Sequence, residues 1–359
     1  MECKIGVLRG DGVGRIISAV ALGCLDAVGQ RFGHKFTFSL PLFGGDAITK
    51  TGVPLPQETI DECLTCGGIL CGTVGGDAFD GMAAHLRPEK ALLSLCSSLG
   101  LYANIRPVLL YDGLKLDSPL KPTLTKKGIN LLLVRAQTGG IYYGQRGYRE
   151  GKNGQEAYDT EVYSIAEVER LANLAFTLAM GRNKRLTSVD KSDVLETGRL
   201  WRATVSRIAK RYPEVKVQHL LVDNCAAQLI SNPSKFDVIL CPSMFGDFLS
   251  HIAGTLTGSA ALVPSCYLGD TTLGLYTPVR SVSSDTAGAD VANPIGAILA
   301  AAMMLSSSFG LTEETTAMEK AINAVLAKGY RTADLSASSA KVVSCSKMGE
   351  LIAEEILHG

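Results

Sequence analysis

The sequence predicts an α/β fold in which parallel strands are joined by crossover helices. Three observations carry that prediction. Short β-rich runs alternate with segments of helical spacing from one end of the chain to the other. The apolar fraction is 46% with only 6% aromatics, which describes an aliphatic core. Thirty-eight glycines supply the many tight turns that strand-to-helix connections need.

The elements follow in order. "KIGVL" (4–8) is a strand, and "VGRIISAVALGCLDAVGQRF" after it has helical spacing. "GGILCG" (67–72) and "NLLLVRA" (130–136) are further buried strands. "SIAEVERLANLAFTLAM" (164–180) is a helix with a capping box formed by Ser164 and Glu167. Its apolar stripe is Val168, Leu171, Ala172, Ala175 and Leu178. "FDVILC" leads into "FGDFLSHIAG" (245–254), the opening turns of a helix. "NPIGAILAAAMML" (293–305) begins with Asn293 as N-cap and Pro294 at the first helical position. There is no internal repeat and no low-complexity linker, so two interleaved domains fit 359 residues better than two in tandem.

Bulk properties exclude several classes. Thirty-five basic residues balance thirty-five acidic ones, so no global field attracts nucleic acid or an anionic membrane. The longest uninterrupted apolar stretch, "PIGAILAAAMML", is too short to cross a bilayer, and "MECKIGVLRGDG" lacks a signal-peptide core. A cytoplasmic location is expected. The ten cysteines sit in apolar runs, and Cys63, Cys66 and Cys71 have no second pair nearby to complete a zinc site.

Residues with chemical capacity gather at strand ends, where open α/β sheets place ligands. Arg106 follows "LYANI", Arg135 follows "NLLLV", Lys191 follows "LTSVD" and Asp223 follows "HLLV". Two arginines suit a substrate with more than one carboxylate; lysine and acids suit proton transfer beside a divalent metal. Each alone also reads as a structural salt bridge. Asp247 and His251, four apart, share one helix face. They form either a grip for a divalent cation or a surface ion pair. "RGDGVG" (9–14) stands where a dinucleotide fingerprint would, but lacks GxGxxG spacing, and a plain tight turn explains it better.

"RPEKALLSL", "LYANIRP", "RAQTGGIYYG", "DTEVYS", "SVDKSDVLE", "FGDFLS" and "DTAGADVANP" appear in the order and at the separations of the β-decarboxylating dehydrogenases. The chain resembles that family, its isopropylmalate branch in particular, over nearly its whole length. The resemblance implies a two-domain α/β fold with a central sheet crossing both domains and an active site in the cleft. A larger, cofactor-binding domain would comprise 1–104 plus 258–359. A smaller one, 105–257, would carry substrate, metal and dimerisation surfaces. It implies NAD-dependent oxidation and decarboxylation of a 2-hydroxy dicarboxylate such as 3-isopropylmalate, with Mg2+ or Mn2+. By resemblance Tyr142, Lys191 and Asp223 are catalytic, and Arg106 and Arg135 hold carboxylates. Glu89, Leu92 and Leu93 meet the alkyl group and nicotinamide, where burying a branched alkyl group contributes roughly 1.5–3 kcal/mol. Asp223, Asp247 and His251 lie at the metal, and Asp285, Asn293 and Asp193 at the cofactor. A homodimer is implied, each site borrowing Lys191 and Asp223 from the other copy.

The departures are specific. Cys96 stands where the family has a third substrate arginine, His251 where the metal helix has a second aspartate, and Asp193 where an asparagine neighbours the nicotinamide. "TPVRSVSSD" (277–285) replaces a glutamate by Thr277, a histidine by Arg280 and a glycine by Ser281. Arg15 and Ile16 replace a Pro-Glu pair. Losing one buried, hydrogen-bonded partner of a carboxylate costs about 2–5 kcal/mol. These changes motivate a second reading, a non-catalytic or regulatory paralogue that forms a heteromer with an active subunit. A redox role for Cys96 has no support in its surroundings, which mark it as an apolar filler.

Overall fold

The computed structural model describes residues 1–279, 290–335 and 340–359. It is a mixed α/β protein with a large central sheet. In chain order its strands are β1 (Glu2–Leu8), β2 (Lys35–Ser39), β3 (Gly68–Cys71), β4 (Ala103–Leu109) and β5 (Asn130–Ala136), followed by β6 (Arg146–Gly151), β7 (Gly154–Asp159) and β8 (Arg185–Asp190). They continue with β9 (Lys216–Leu221), β10 (Val238–Cys241), β11 (Pro264–Leu268) and β12 (Gly274–Pro278). Every residue of β3 and β10 is buried, and all of β5 but its first. That is the pattern of parallel strands covered on both faces.

The chain forms two compact units. The first comprises Met1–Leu101, Leu109–Gly128 and Gly254–Gly359; the second comprises Tyr102–Val108 and Ile129–Ala253. In the first unit the strand order is β2-β1-β3-β12-β11. β1 runs parallel to β2 and β3, β3 parallel to β12, and β11 antiparallel to β12. The helix Val13–Phe32 ends at Gly33, whose φ of 72° lets its N–H reach back to Gly29 O. By length and composition this helix could cross a membrane, which the apolar-run count did not anticipate. Half of its apolar window is buried, and it packs on the helices Ile295–Phe309 and Cys345–His358, the role of a core helix. Arg31 Nη1 donates to Ile356 O at 2.6 Å, and a Cβ on Gly349 would come within 2.3 Å of Val20. The first and last long helices therefore meet backbone to side chain.

In the second unit the order is β4-β5-β10-β8-β9, with β5, β10, β8 and β9 mutually parallel. β6 and β7 form a separate antiparallel hairpin. The helix Ile165–Met180 starts as expected, Ser164 Oγ accepting from Glu167 N while the Glu167 carboxylate takes Ser164 N–H at 2.8 Å. Asp237, fully buried just before β10, accepts from Arg182 Nε (2.9 Å) and Asn183 N (3.0 Å), while its carbonyl takes Leu132 N (2.8 Å).

Two expectations are corrected. Residues 109–128, assigned by sequence to the smaller domain, cluster with the first unit, because buried Arg331 pairs with Asp117 and donates to Gly113 O. The helix at 295 begins one residue later than the Asn-Pro pair implied: Pro294 takes the N-cap place, and Asn293 Oδ1 accepts Ile295 N–H at 3.0 Å.

Candidate active site

Strand register places the first group of residues in the second unit. Cys241 pairs with Arg135, so the helix Ser243–Thr255 that follows β10 starts beside Arg135. Arg135 Nε donates to Ser243 O at 2.7 Å, and Ser243 N donates to the Tyr163 hydroxyl at 2.8 Å, which fixes the turn. Gly246 is required here, because a Cβ would lie 2.9 Å from the Arg135 side chain. Arg106 Nη1 donates to Asp247 Oδ1 at 3.0 Å and to Ser250 Oγ. Arg135 Nη1 lies 3.5 Å from the same Asp247 oxygen. Tyr142 OH reaches Asp247 Oδ2 at 3.4 Å, and the Arg135 guanidinium sits 5.7 Å over the Tyr142 ring.

Two buried guanidiniums thus share one carboxylate, an excess of positive charge in a weakly screened place. Arg106 Nε is buried with no hydrogen-bond partner, a donor aimed at nothing in the protein. Such a pair is built to take an anion. Burial pushes the Asp247 carboxyl up, but Arg135 and Arg106 outweigh it and hold the group below the usual carboxylate range. Burial, reinforced by the Asp247 charge, raises the Tyr142 hydroxyl, so the phenol keeps its proton at neutral pH. Because the Asp247 pKa is lowered on folding, its stabilisation is present above the unfolded value of about 4 and fades as pH falls through the folded value. Arg106→Met is expected to raise the Asp247 pKa, read by carbon-detected NMR titration between pH 2 and 6. An unchanged titration would mean that Arg106 does not hold the carboxylate.

His251 is exposed one turn on, with Nδ1 at 2.9 Å from the Asp247 carbonyl oxygen. A carbonyl only accepts, so Nδ1 carries the proton, and in the neutral ring Nε2 carries the lone pair. Among the described residues no three His, Cys, Asp or Glu side chains gather in a metal-binding group.

The second group sits at the ends of β8 and β9, where Asp190 pairs with Leu221. Lys191 Nζ lies 3.0 Å from Asp193 Oδ2 and 3.3 Å from Asp223 Oδ2. Asp193, then Asp223, raise the Lys191 pKa. The Asn224 N–H, with Lys191, lowers that of Asp223. The turn is fixed by buried Asp190, which accepts both Arg202 Nε and Nη2 at 2.9 Å and Ser192 N at 3.0 Å. Sequence reading missed Asp190, Ser250 and Tyr163; each lies next to or on an identified element, but their partners are distant in sequence.

In the first unit, Glu89 is exposed at the start of the helix Pro88–Ser98, Leu92 packs on the core and Leu93 is half-buried. Cys96 is fully buried with Leu8, Cys71, Leu95 and Leu101. All ten cysteines are buried thiols; burial pushes Cys63 and Cys241 up to about 12, leaving them poor nucleophiles. The glycine loop is a close-packing turn. Asp11 N bonds Thr73 O at 2.8 Å, and a Cβ on Gly10 would stand 2.2 Å from that oxygen. Buried Asp11 in turn accepts Gly45 N at 2.8 Å and Gly75 N at 2.9 Å, tying three glycine turns together.

Beside that loop lies a cavity of about 170 Å³ with walls of Val13, Ile17 and Val279 and polar edges at Thr73, Asn293 and Asp334. Thr73 Oγ1 is buried without a partner, so the cavity lacks one acceptor or donor that a ligand would bring. Asn293 Nδ2 donates to Asp334 at 3.1 Å, so its amide is already held at both ends. Thr277 is buried in β12. Asp285, Arg280 and Ser281 lie outside the described residues. Arg15 pairs with Asp46.

The isocitrate/isopropylmalate dehydrogenase family model matches residues 4–352, and the chain belongs to that family. Within it, the chain is 47% identical to the 3-isopropylmalate dehydrogenase of Clostridium acetobutylicum, over 99% of both chains. It is 49% identical to the 3-isopropylmalate dehydrogenase of Geobacillus kaustophilus, over 99% of this chain and 95% of that one. Among solved structures it is similar to an isocitrate dehydrogenase from Methylococcus capsulatus, with TM-score 0.88 and 28% identity, covering 99% of this chain and 100% of that one. It is also similar to a β-decarboxylating dehydrogenase from Thermococcus kodakarensis, with TM-score 0.78 and 29% identity, covering 99% of this chain and 96% of that one. These relatives bear the names of enzymes, and the reading as a non-catalytic paralogue finds no support among them.

Proposed function

We propose that this chain is an NAD-dependent β-decarboxylating dehydrogenase acting on 3-isopropylmalate or a closely related 2-hydroxy dicarboxylate, a reaction of leucine biosynthesis. The observation that carries the site assignment is the pair of buried arginines sharing Asp247, with an unpartnered Nε on Arg106. Arg106 and Arg135 hold substrate carboxylate. Tyr142, protonated at neutral pH and in reach of Asp247, delivers a proton to carbon after CO2 is lost. Lys191 and Asp223 handle the proton of the substrate hydroxyl.

By resemblance Asp223, Asp247 and His251 would hold Mg2+ or Mn2+; within this chain the Asp247 carboxylate is paired with Arg106 and Arg135. The cavity beside Thr73 and Asn293, with its unpartnered hydroxyl and apolar walls, fits part of a nicotinamide dinucleotide; Asp193 and Asp285 are assigned to the cofactor by the family resemblance alone. When bound, NAD+ supplies the hydride acceptor and the cation supplies Lewis acidity. The family resemblance assigns Glu89, Leu92 and Leu93 to the alkyl group of the substrate. The family resemblance implies a homodimer in which each site borrows Lys191 and Asp223 from the other copy. The enzyme works in the cytoplasm.

The test is NADH formation from NAD+ and 3-isopropylmalate by the purified protein, in Mg2+ and then in Mn2+. Turnover at an ordinary enzymatic rate is expected in at least one cation. No turnover in either would overturn the assignment of substrate.

A further inference from the structure

We propose that Asp190 and Arg202 are positioning residues for Lys191, an ion pair that aims the lysine by fixing the peptide behind it. The inference rests on the reading above that Lys191 handles the proton of the substrate hydroxyl. Lys191 is the first residue after β8, and its Nζ stands 3.0 Å from Asp193 and 3.3 Å from Asp223. The peptide that joins Lys191 to Ser192 is held at both ends. Its carbonyl accepts from Leu195 N at 2.9 Å, and its N–H donates to Asp190 Oδ1 at 3.0 Å. Arg199 Nη1 donates to the next carbonyl, that of Ser192, at 3.0 Å. Asp190 is in turn fully buried, and Arg202 Nε and Nη2 each donate to one of its oxygens at 2.9 Å. The direction in which the Lys191 side chain leaves the backbone is thus set from the helix Glu196–Ala209.

The choice of a charged pair points the same way. A neutral serine or asparagine caps such a turn without the cost of burying a carboxylate. The arginine fork adds geometric definition, because two parallel bonds to one carboxylate admit a single arrangement. The helix also lies directly on the turn, since a Cβ at Gly198 would stand 2.8 Å from Ser192 N. Lysine carries its charge on a flexible four-carbon stem, so an error at its Cβ is passed on to the ammonium group. A misplacement of about 1 Å at a reacting group costs up to about 10²-fold in rate. A pair that served the fold alone predicts lower stability with kcat per folded molecule unchanged.

The test is a double-mutant cycle on the intact protein. NADH formation from NAD+ and 3-isopropylmalate in Mg2+ or Mn2+ gives kcat and KM, and urea unfolding gives the folded fraction. Arg202→Lys keeps a positive charge opposite Asp190 and removes the fork. It is expected to lower kcat about tenfold while KM changes less than about twofold. Lys191→Met is expected to be about 10²- to 10⁴-fold slower than wild type. In that background Arg202→Lys should change kcat by less than about twofold, because the group it aims is gone. Equal losses in both backgrounds, or wild-type kcat in folded Arg202→Lys, overturn the positioning role and leave Lys191 as the residue that handles the proton. Near wild-type kcat in Lys191→Met, or no turnover by the wild type, overturns that reading and the positioning role with it. If Arg202→Lys does not fold, Arg199→Met removes an exposed member of the same clamp. It is expected to lower kcat about two- to threefold, with no further loss in Lys191→Met, and the same two outcomes overturn the proposal.

Discussion

Tyr142→Phe is expected to lower kcat about 10²- to 10³-fold while KM changes by no more than a few-fold. The ring and its place under the Arg135 guanidinium are kept, so substrate binding survives. What is removed is the hydroxyl that reaches Asp247 Oδ2 at 3.4 Å and that burial and the Asp247 charge keep protonated. If Tyr142 delivers the final proton, oxidation precedes the blocked step. Stopped-flow absorbance should then show a first-turnover burst of NADH followed by a slow steady state. A variant that loses the burst and the steady rate equally would place Tyr142 before hydride transfer, and the assignment of the proton donor would fall.

The second large effect concerns stability. Asp237→Ala is expected to cost about 3–5 kcal/mol, because it leaves Arg182 without its buried partner and two backbone donors unsatisfied. The carboxylate accepts from Arg182 Nε, Asn183 N and Asn183 Nδ2, and from Arg185 N at the first residue of β8. Asp237→Asn keeps part of this set and should lose about half as much. Urea unfolding at neutral pH reads both, as a lower midpoint at unchanged slope. A loss under about 1 kcal/mol in Asp237→Ala would show that solvent replaces these bonds.

The periodic elements were legible because local rules decide them. The Ser164 capping box and the strand at 130–136 depend on neighbours within a few positions, and both stand where the pattern put them. The place of 109–128 was not legible, since it is decided by Arg331, more than two hundred residues away. The site was legible in part. Arg106, Arg135, Tyr142 and Asp247 come together, as do Lys191, Asp193 and Asp223. The supporting Ser250 and Asp190 could not be picked out, because a serine or aspartate beside a strand or in a helix has many ordinary uses. Thr73 acquires meaning only from a cavity whose walls come from six separate stretches of chain. Cys96 was correctly valued as an apolar filler, since its neighbours in sequence are themselves core residues.

The contact between the first and last long helices bears on how the chain is made. Arg31 and Ile356, bonded through Arg31 Nη1, are separated by 325 positions, so the first unit closes a very wide loop. Loop-closure entropy rises slowly with length, but non-local contacts delay folding until both ends are present. On the ribosome the helix Val13–Phe32 emerges early and waits with its apolar face unburied until Cys345–His358 has been synthesised. The second unit, drawn from 102–108 and 129–253, has all its strands long before that. Order of synthesis therefore favours the second unit, with its arginine pair, as the seed, and makes the first unit the later one to close.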